Sequence, residues 1–333
     1  MKPTIIILTT KFGTNFSGGA TSTCEIFYRI QDQFEKIIVI GTQLGEHSIG
    51  NIEFRKISSF LQMYWEVRQF DRDQYLFYGD FYNSVLLALA NVRFVFTYHD
   101  NWPELGKLDL NHWFQSQFYT TVYRYIFRKA LHVVTVSQFK KHYLKQYSSS
   151  VSVIPNGFCR KPGYSPAREA DGAGRVLMVG NIDSRKYKLA VKLFAMVDPS
   201  MELSIEIYGH IIDSTIARRL TKFQFVTLKG FVKEVPYESY DLLLHTSFTE
   251  SFGLVICEAI FHQVPVLAFE CGGARELINP KNGRLIHAYN LELMLGELEN
   301  LIKSPMKADP GTVQQYAWAS TSEAYKNLLN DVA

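Results

Sequence analysis

The sequence lacks the features of several large protein classes. Its longest nearly apolar run, Val85–Val92, is far shorter than the ~20 residues needed to cross a bilayer. The apolar stretch after Met1-Lys2-Pro3 is too short for a secretory leader, so none is expected. GxGxxG spacing is absent, which argues against a nicotinamide-binding Rossmann site. The cysteines have neither CxxC spacing nor neighbouring metal ligands, and we expect reduced core thiols of a cytoplasmic protein at Cys24, Cys159, Cys257 and Cys271.

A large net charge is also missing. The chain has 35 Lys and Arg against 32 Asp and Glu, a net charge of +3, which is too small to indicate a nucleic-acid partner. Residues 1–157 carry +4 and the remainder −1, and the basic residues concentrate in Lys107–Lys145. The first half of the chain therefore contains a local basic region.

Two series of strand-like segments occupy the 333 residues. Each segment is short and apolar and is separated from the next by a helical length of chain, a pattern typical of parallel sheets covered on both faces. The predicted strands span 4–10, 36–41, 74–78, 93–98, 132–136 and 152–154, then 175–180, 203–209, 226–230, 242–246 and 264–269. The turn-forming Ile154–Gly157 lies between the two series. The sequence therefore predicts an α/β protein with two doubly wound domains.

Candidate binding residues in the first series follow predicted strands. Gly18 and Gly19 come before a helical segment, so their amides can approach an anionic ligand; a plain strand-to-helix turn is the alternative. His99 and Asp100 follow another strand, where ligands of open α/β sheets bind. The alternative is a histidine satisfied by neighbouring backbone.

A cationic turn opens the second series. Arg185 and Lys186 follow the strand at 175–180, and their charges suit a diphosphate. A solvated basic turn is the alternative.

The strongest signal is Thr249–Ala259, where Glu250 and Glu258 are eight residues apart. Small residues before the helix leave its N-terminus open, so three amides can face a phosphate, those of Phe252, Gly253 and Leu254. Because Glu258 lies among apolar residues of a helix, it needs a polar partner, and a pair of sugar hydroxyls fits.

These segments, taken in order, resemble the retaining GT-B glycosyltransferases of family 4, the glycosyl transferases group 1. Glu250 and Glu258 match the family's Glu-x7-Glu signature, Ile154–Gly157 its "IPNG" segment, and Gly272-Gly273 a later glycine turn. The resemblance implies two Rossmann-like doubly wound domains facing a cleft. Residues 1–157 would bind the acceptor, with helix 313–332 crossing back to them, and residues 170–312 would bind the nucleotide sugar.

The resemblance also implies roles for individual residues. Glu258 would bind the ribose hydroxyls and Glu250 the donor sugar. His99 would lie near the reacting sugar, and Glu250 and His99 would be the two catalytic residues. The other donor-binding positions would be Gly18 and Gly19, Arg185 and Lys186, Phe231 and Val232 at the base, and Ser251, Phe252, Gly253 and Leu254. The family often has an arginine where this chain has Asn181, and Arg185 is the candidate to replace it.

The implied reaction is the transfer of a hexose-type sugar from a nucleotide-diphosphate sugar, a co-substrate, to a glycan or lipid-linked saccharide. It would serve cell-surface polysaccharide or glycolipid assembly and need neither cofactor nor metal. A metal-dependent DxD transferase is disfavoured because Asp71-Arg72-Asp73 precedes a strand instead of following one. A nucleotide-sugar epimerase and an inactive glycan-binding or partner-binding member of the family also stay open.

Residues 112–145 combine aromatic and basic side chains, among them Trp113, Phe114, Phe118 and Lys140. Aromatic residues beside cations suit the headgroup zone of an anionic bilayer, so peripheral contact with the inner face of the cell membrane is one hypothesis. The alternative is that half of these aromatic residues form the core face of a helix.

Overall fold

The structure, a computed structural model, describes residues 2–13, 18–45, 50–158 and 174–332. The chain divides into two compact units, the first comprising residues 1–157 and 318–333 and the second residues 158–317. Cys159 and residues 14–17 of the predicted glycine turn lie outside the described residues.

The first unit contains a seven-stranded parallel sheet in the order β3-β2-β1-β4-β5-β6-β7. Its strands are β1 (Thr4–Phe12), β2 (Lys36–Leu44), β3 (Ile52–Lys56), β4 (Leu76–Gly79), β5 (Phe94–Tyr98), β6 (His132–Thr135) and β7 (Val151–Val153). In the register at the centre of the sheet, Ile7 pairs with Val39 on one side and Tyr78 on the other.

The second unit contains a six-stranded parallel sheet in the order β10-β9-β8-β11-β12-β13. Its strands are β8 (Gly174–Val179), β9 (Leu203–Tyr208), β10 (Val226–Gly230), β11 (Leu242–His245), β12 (Val266–Phe269) and β13 (Gly283–Ile286).

Helices follow most of the strands. They are α1 (Gly18–Ile30), α2 (Phe60–Arg68), α3 (Val85–Ala90), α4 (Leu110–Lys129), α5 (Gln138–Leu144), α6 (Ser184–Phe194), α7 (Ser214–Leu220), α8 (Leu254–Phe261), α9 (Ala274–Leu277), α10 (Leu291–Lys303) and α11 (Trp318–Val332). None of the helices in the described ranges is long and apolar enough to span a membrane.

Both faces of the first sheet are covered, which explains why β1 is an unbroken apolar run. Ile6 and Leu8 point into a core shared with α2, α3 and α4. Ile5 and Ile7 alternate with them and point into a second core, shared with α1 and α11. In the second unit, α6, α7 and α10 share one core with the sheet, while α8 contacts β11 and β12.

The predicted fold class is confirmed, because both sheets are parallel and doubly wound. All eleven predicted strands are present, and β3 and β13 were not predicted. The helical spacing predicted over 313–332 is interrupted, since a 3₁₀ turn ends at Tyr316 and α11 begins at Trp318. Cys24, Cys257 and Cys271 are buried free thiols.

Candidate active site

The candidate site of the second unit lies where its strand order changes direction. β8 and β11 are neighbours in the sheet although β9 and β10 intervene in the chain. In open α/β sheets, ligands bind at the carboxyl ends of the strands at such a point. The predicted cationic turn follows β8 and the segment Thr249–Ala259 follows β11, so the topology brings these two sequence signals together.

Lys186 and Glu250 form an ion pair at this point, with 3.7 Å between Nζ and Oε2. Lys186 lies in the first turn of α6, which Asp183 caps by accepting from the Lys186 amide at 3.0 Å. The Thr246 hydroxyl donates to the Lys186 carbonyl at 2.8 Å and ties the helix to the end of β11. Gly180, at φ +137°, leaves room for the lysine, because a Cβ there would lie 2.9 Å from Nζ.

The backbone of Glu250 is fixed by the later glycine turn. The Gly273 amide donates to the Glu250 carbonyl at 2.8 Å. Gly272 has φ +50°, and a Cβ at that position would lie 1.9 Å from the same carbonyl oxygen. The two glycines are therefore required for the close approach of this turn to Glu250.

His245 is a third ionisable group at the site, and the sequence analysis did not predict it. It is the last residue of β11, is 4% exposed, and places Nε2 3.5 Å from Glu250 Oε2. In the sequence, His245 ends an apolar strand and looks like a core residue. Only its contact with Glu250 in the structure identifies it as part of the site.

The electrostatics keep Glu250 charged. Burial opposes its ionisation, but Lys186, His245 and Arg185 outweigh burial and hold the pKa of the carboxyl well below its usual range. Burial lowers the pKa of His245, and Lys186 adds to that effect while Glu250 opposes it. The site therefore presents a carboxylate, an ammonium and a neutral imidazole.

Arg185 lies beside this group but has a partner of its own. Its guanidinium donates to Asp183 at 3.2 Å, and about a third of the side chain is exposed. Its charge reaches Glu250, as the pKa of that carboxyl reflects. Its replacement of the family arginine stays a prediction.

The segment between the two glutamates has backbone groups, and not side chains, available to a ligand. Gly253 has φ +106° and is the N-cap of α8. Phe252 is 4% exposed and its ring packs edge-on against Tyr316, 5.3 Å away. Ser251 is buried and Leu254 half-buried. Amide groups are therefore the means by which residues 251–254 would meet a ligand.

Glu258 lies in the second turn of α8 and has a partner within the protein. The Tyr237 hydroxyl donates to Glu258 Oε2 at 2.6 Å. Burial raises the pKa of Glu258, and this hydrogen bond partly offsets the rise. The expected need of Glu258 for a polar partner is thus met in part by a tyrosine that the sequence analysis missed.

The loop after β10 carries the predicted base-contacting pair. Phe231 is 55% exposed and Val232 half-buried. The Phe231 ring stacks on His210, with centroids 4.4 Å apart and an interplanar angle of 8°. His210 follows β9, so the stack spans the ends of two neighbouring strands.

In the first unit, the structure brings His99 and the glycine turn together. Gly18 and Gly19 open α1, and a Cβ on Gly19 would lie 3.1 Å from the His99 ring. Burial lowers the pKa of His99 to about 4, so the imidazole is neutral at physiological pH. These residues lie at the carboxyl ends of β1 and β5.

Asp80 follows β4 at the same edge of this sheet, and the sequence analysis did not select it. It is 1% exposed. Burial raises its pKa to about 7, which the hydroxyls of Thr23 and Thr9 oppose only in part. A carboxyl group is thus buried where the first sheet changes direction.

The Asp71-Arg72-Asp73 segment forms an exposed turn before β4. The Asp73 amide donates to Asp71 Oδ1 at 2.9 Å, so the segment closes on itself. Across the described ranges, no group of three or more His, Cys, Asp or Glu side chains could hold a metal ion.

Two family models match the chain. The family described as "Glycosyl transferases group 1" matches residues 173–304. The family described as "Glycosyltransferase Family 4" matches residues 54–159. The first of these matches contains Lys186, Glu250 and Glu258, and the second contains His99.

Individual curated relatives match only a short part of the chain. A D-inositol 3-phosphate glycosyltransferase of Rhodococcus erythropolis is 31% identical over 94 residues, which are 26% of this chain and 21% of that protein. The match thus spans about a fifth of the curated relative.

Solved structures match over the whole chain. Anabaena HepE in complex with UDP and glucose superposes with a TM-score of 0.80 at 19% identity, covering 99% of this chain and 100% of that one. The lipopolysaccharide outer core galactosyltransferase WaaB gives a TM-score of 0.73 at 17% identity, covering 99% and 100%. At these identities the likeness establishes the fold, which is GT-B.

Proposed function

The chain belongs to family 4 of the glycosyltransferases, the glycosyl transferases group 1, and we propose that it moves a hexose-type sugar from a nucleotide-diphosphate sugar to a saccharide acceptor with retention of configuration. The observation that carries the proposal is the contact of Lys186 with Glu250 where the second sheet changes direction. A cation suits a diphosphate there, and a carboxylate held ionised suits sugar hydroxyls.

The second unit would hold the donor. Lys186, with Arg185 beside it, would neutralise the diphosphate as the glycosidic bond breaks, an effect realised in the transition state. Glu250 would accept hydrogen bonds from the donor sugar and Glu258 from the ribose. The amides of residues 252–254 would face the sugar and a phosphate, and the loop at Phe231 and Val232 the base.

Retention would follow from substitution on one face of the sugar. A double displacement needs a carboxylate opposite the leaving group, as in retaining glycosidases, and we assign no residue to that role. The departing phosphate would instead take the proton of the acceptor hydroxyl. His99, neutral because it is buried, would stabilise the developing positive charge without acting as nucleophile, and Gly18 and Gly19 would line the diphosphate.

This function is tested directly by identifying the donor that binds and by measuring the anomeric configuration of the product. Nucleotide sugars that bind are expected to raise the melting temperature of the protein by mass action. With the donor so identified, proton NMR of fresh product is expected to give the anomeric coupling of the donor configuration. An inverted linkage would contradict the retaining assignment, and the absence of donor turnover, both transfer and hydrolysis, would favour a binding protein.

The first unit would bind the acceptor, and one of its surfaces suits a lipid-linked acceptor at the inner face of the cell membrane. Five large apolar side chains of α2 and α4 are 48–68% exposed: Leu61, Trp65, Trp113, Phe114 and Phe118. Ring contacts connect the two helices through Tyr82, because Phe60 of α2 stacks on Tyr82, which meets Tyr119 of α4.

The structure corrects the composition of this surface. Lys140 is 1% exposed and ion-paired with Glu104, so it is not a membrane-facing cation. Tyr123 and Phe127 are buried in the core. Arg128 and Lys129 are exposed at the end of α4, and Lys107 is exposed before its start.

We expect the protein to float with anionic liposomes at low salt and less at high salt, because surface charges are screened. The combined Trp113→Ala, Phe114→Ala and Phe118→Ala variant is expected to stay in the unbound fraction. Its control replaces two similarly exposed residues of the second unit, Ile211→Ala and Ile212→Ala, and is expected to float like the wild type. Wild-type protein that fails to float at low salt would rule out the membrane contact.

A further inference from the structure

Tyr237 holds one oxygen of the Glu258 carboxylate. Its hydroxyl donates to Oε2 at 2.6 Å, and the tyrosine is 4% exposed. Tyr237 begins a 3₁₀ turn, Tyr237–Ser239, a few residues after the loop at Phe231 and Val232. The tyrosine therefore connects the loop proposed to meet the base with the carboxylate proposed to meet the ribose.

Tyr237 is itself held from its other side. Its ring stacks on His262, with centroids 5.4 Å apart and an interplanar angle of 5°. The His262 ring is hydrogen-bonded through Nδ1 to Glu238, the residue after Tyr237. Because His262 is also the C-cap of α8, the end of this helix fixes the ring that orients Glu258.

A carboxylate is planar, so a hydrogen bond that holds one oxygen also limits the directions in which the second oxygen can point. Two vicinal hydroxyls of a ribose can both donate to such a group, whereas a 2′-deoxyribose offers one hydroxyl and leaves part of this half-buried acceptor unsatisfied. Discrimination between the two sugars thus depends on how firmly the carboxylate is held.

We propose that Tyr237 is a positioning residue that orients Glu258 for the ribose diol and thereby makes the donor site selective for ribonucleotides over 2′-deoxyribonucleotides. The inference rests on the proposed function, since it requires Glu258 to contact the ribose. It adds a residue outside the Glu-x7-Glu pair, supplied by a turn 21 positions earlier in the chain.

The test compares UDP with 2′-deoxy-UDP by calorimetry, with GDP or ADP and their deoxy forms used if the wild type prefers another base. Tyr237→Phe removes one hydroxyl and keeps the ring on His262. We expect it to weaken ribonucleotide binding about 10-fold, the size of a hydrogen bond to a charged group, and to leave deoxyribonucleotide binding nearly unchanged. Donor KM should rise with kcat retained. Glu258→Gln should lose the same discrimination.

Tyr240→Phe is the matched control, because Tyr240 is another buried tyrosine whose hydroxyl donates to a carboxylate of this unit, that of Glu206. A purely structural effect would lower the melting temperature and leave the ratio of ribo to deoxy affinities as in the wild type. An unchanged ratio in Tyr237→Phe would overturn this inference alone. A wild type that binds no nucleoside diphosphate would overturn the proposed function and this inference with it.

Discussion

The Glu250→Gln variant is expected to lose about 10²–10³-fold in kcat, with the protein still folded. The amide keeps the size of the side chain but removes the charge that pairs with Lys186 and faces His245. Lys186 then lacks its half-buried counter-ion, and the sugar hydroxyls lose a charged acceptor. Initial rates at saturating donor, with circular dichroism and a melting curve for each protein, measure the effect.

Glu270→Gln is the matched control for this experiment. Glu270 follows β12 in the same unit and pairs with Arg275 and His287, so it too is a carboxylate with two partners. Its pairs lie on the surface, where such contacts contribute ~0–1 kcal/mol, and its substitution is expected to leave kcat within about twofold. Equal rates for Glu250→Gln and the control would remove Glu250 from the catalytic machinery.

The strands that the sequence failed to predict are both at sheet edges. β3 reads Ile-Glu-Phe-Arg-Lys, with charged residues that give no continuous apolar run. β13 has four residues and begins with Gly-Arg. Central strands of a doubly wound sheet are buried on both faces and are recognisable as apolar runs. Edge strands can carry polar side chains, which conceals β3 and β13, although the opposite edge strands β7 and β10 were predicted.

The site residues also fall into two groups: those that their neighbours in the sequence identify, and those that only a contact in the folded structure identifies. Glu250, Glu258 and Lys186 are recognisable because the residues beside each carry the signal. His245 and Tyr237 act through contacts with those glutamates, and Tyr237 meets Glu258 across 21 positions of chain. A single histidine or tyrosine among apolar neighbours is indistinguishable from a core residue until the fold supplies its partner.

The prediction that Lys140 belongs to the basic and aromatic surface was wrong for a related reason. Lys140 contributes to the charge count of 107–145, yet it is buried against Glu104 and the Tyr98 ring. Its ammonium also donates to the Trp102 carbonyl at 3.1 Å. The composition shows that a cation lies within a basic segment, but only tertiary packing decides whether that cation faces solvent.

Asp80→Asn is expected to stabilise the protein above neutral pH. Burial raises the pKa of Asp80 from 3.8 to about 7, so the folded state holds a proton that the unfolded state has released. Wild-type stability is therefore expected to fall as pH rises from about 4 to about 7 and to stay low above that range. Asparagine cannot ionise, and the variant avoids a loss on the order of 4 kcal/mol at pH 8.

Urea unfolding of both proteins at about pH 4, 6 and 8 measures this effect, because the two curves should diverge as pH rises. Asp73→Asn, at a side chain that is 83% exposed, removes the same charge from the surface and is expected to shift stability by less than about 0.5 kcal/mol at every pH. The pH dependence separates titration of Asp80 from a simple change in packing, since packing would alter stability equally across the range. A constant difference between Asp80→Asn and wild type from pH 4 to 8 would mean that Asp80 is ionised throughout and that its burial is compensated by Thr9 and Thr23.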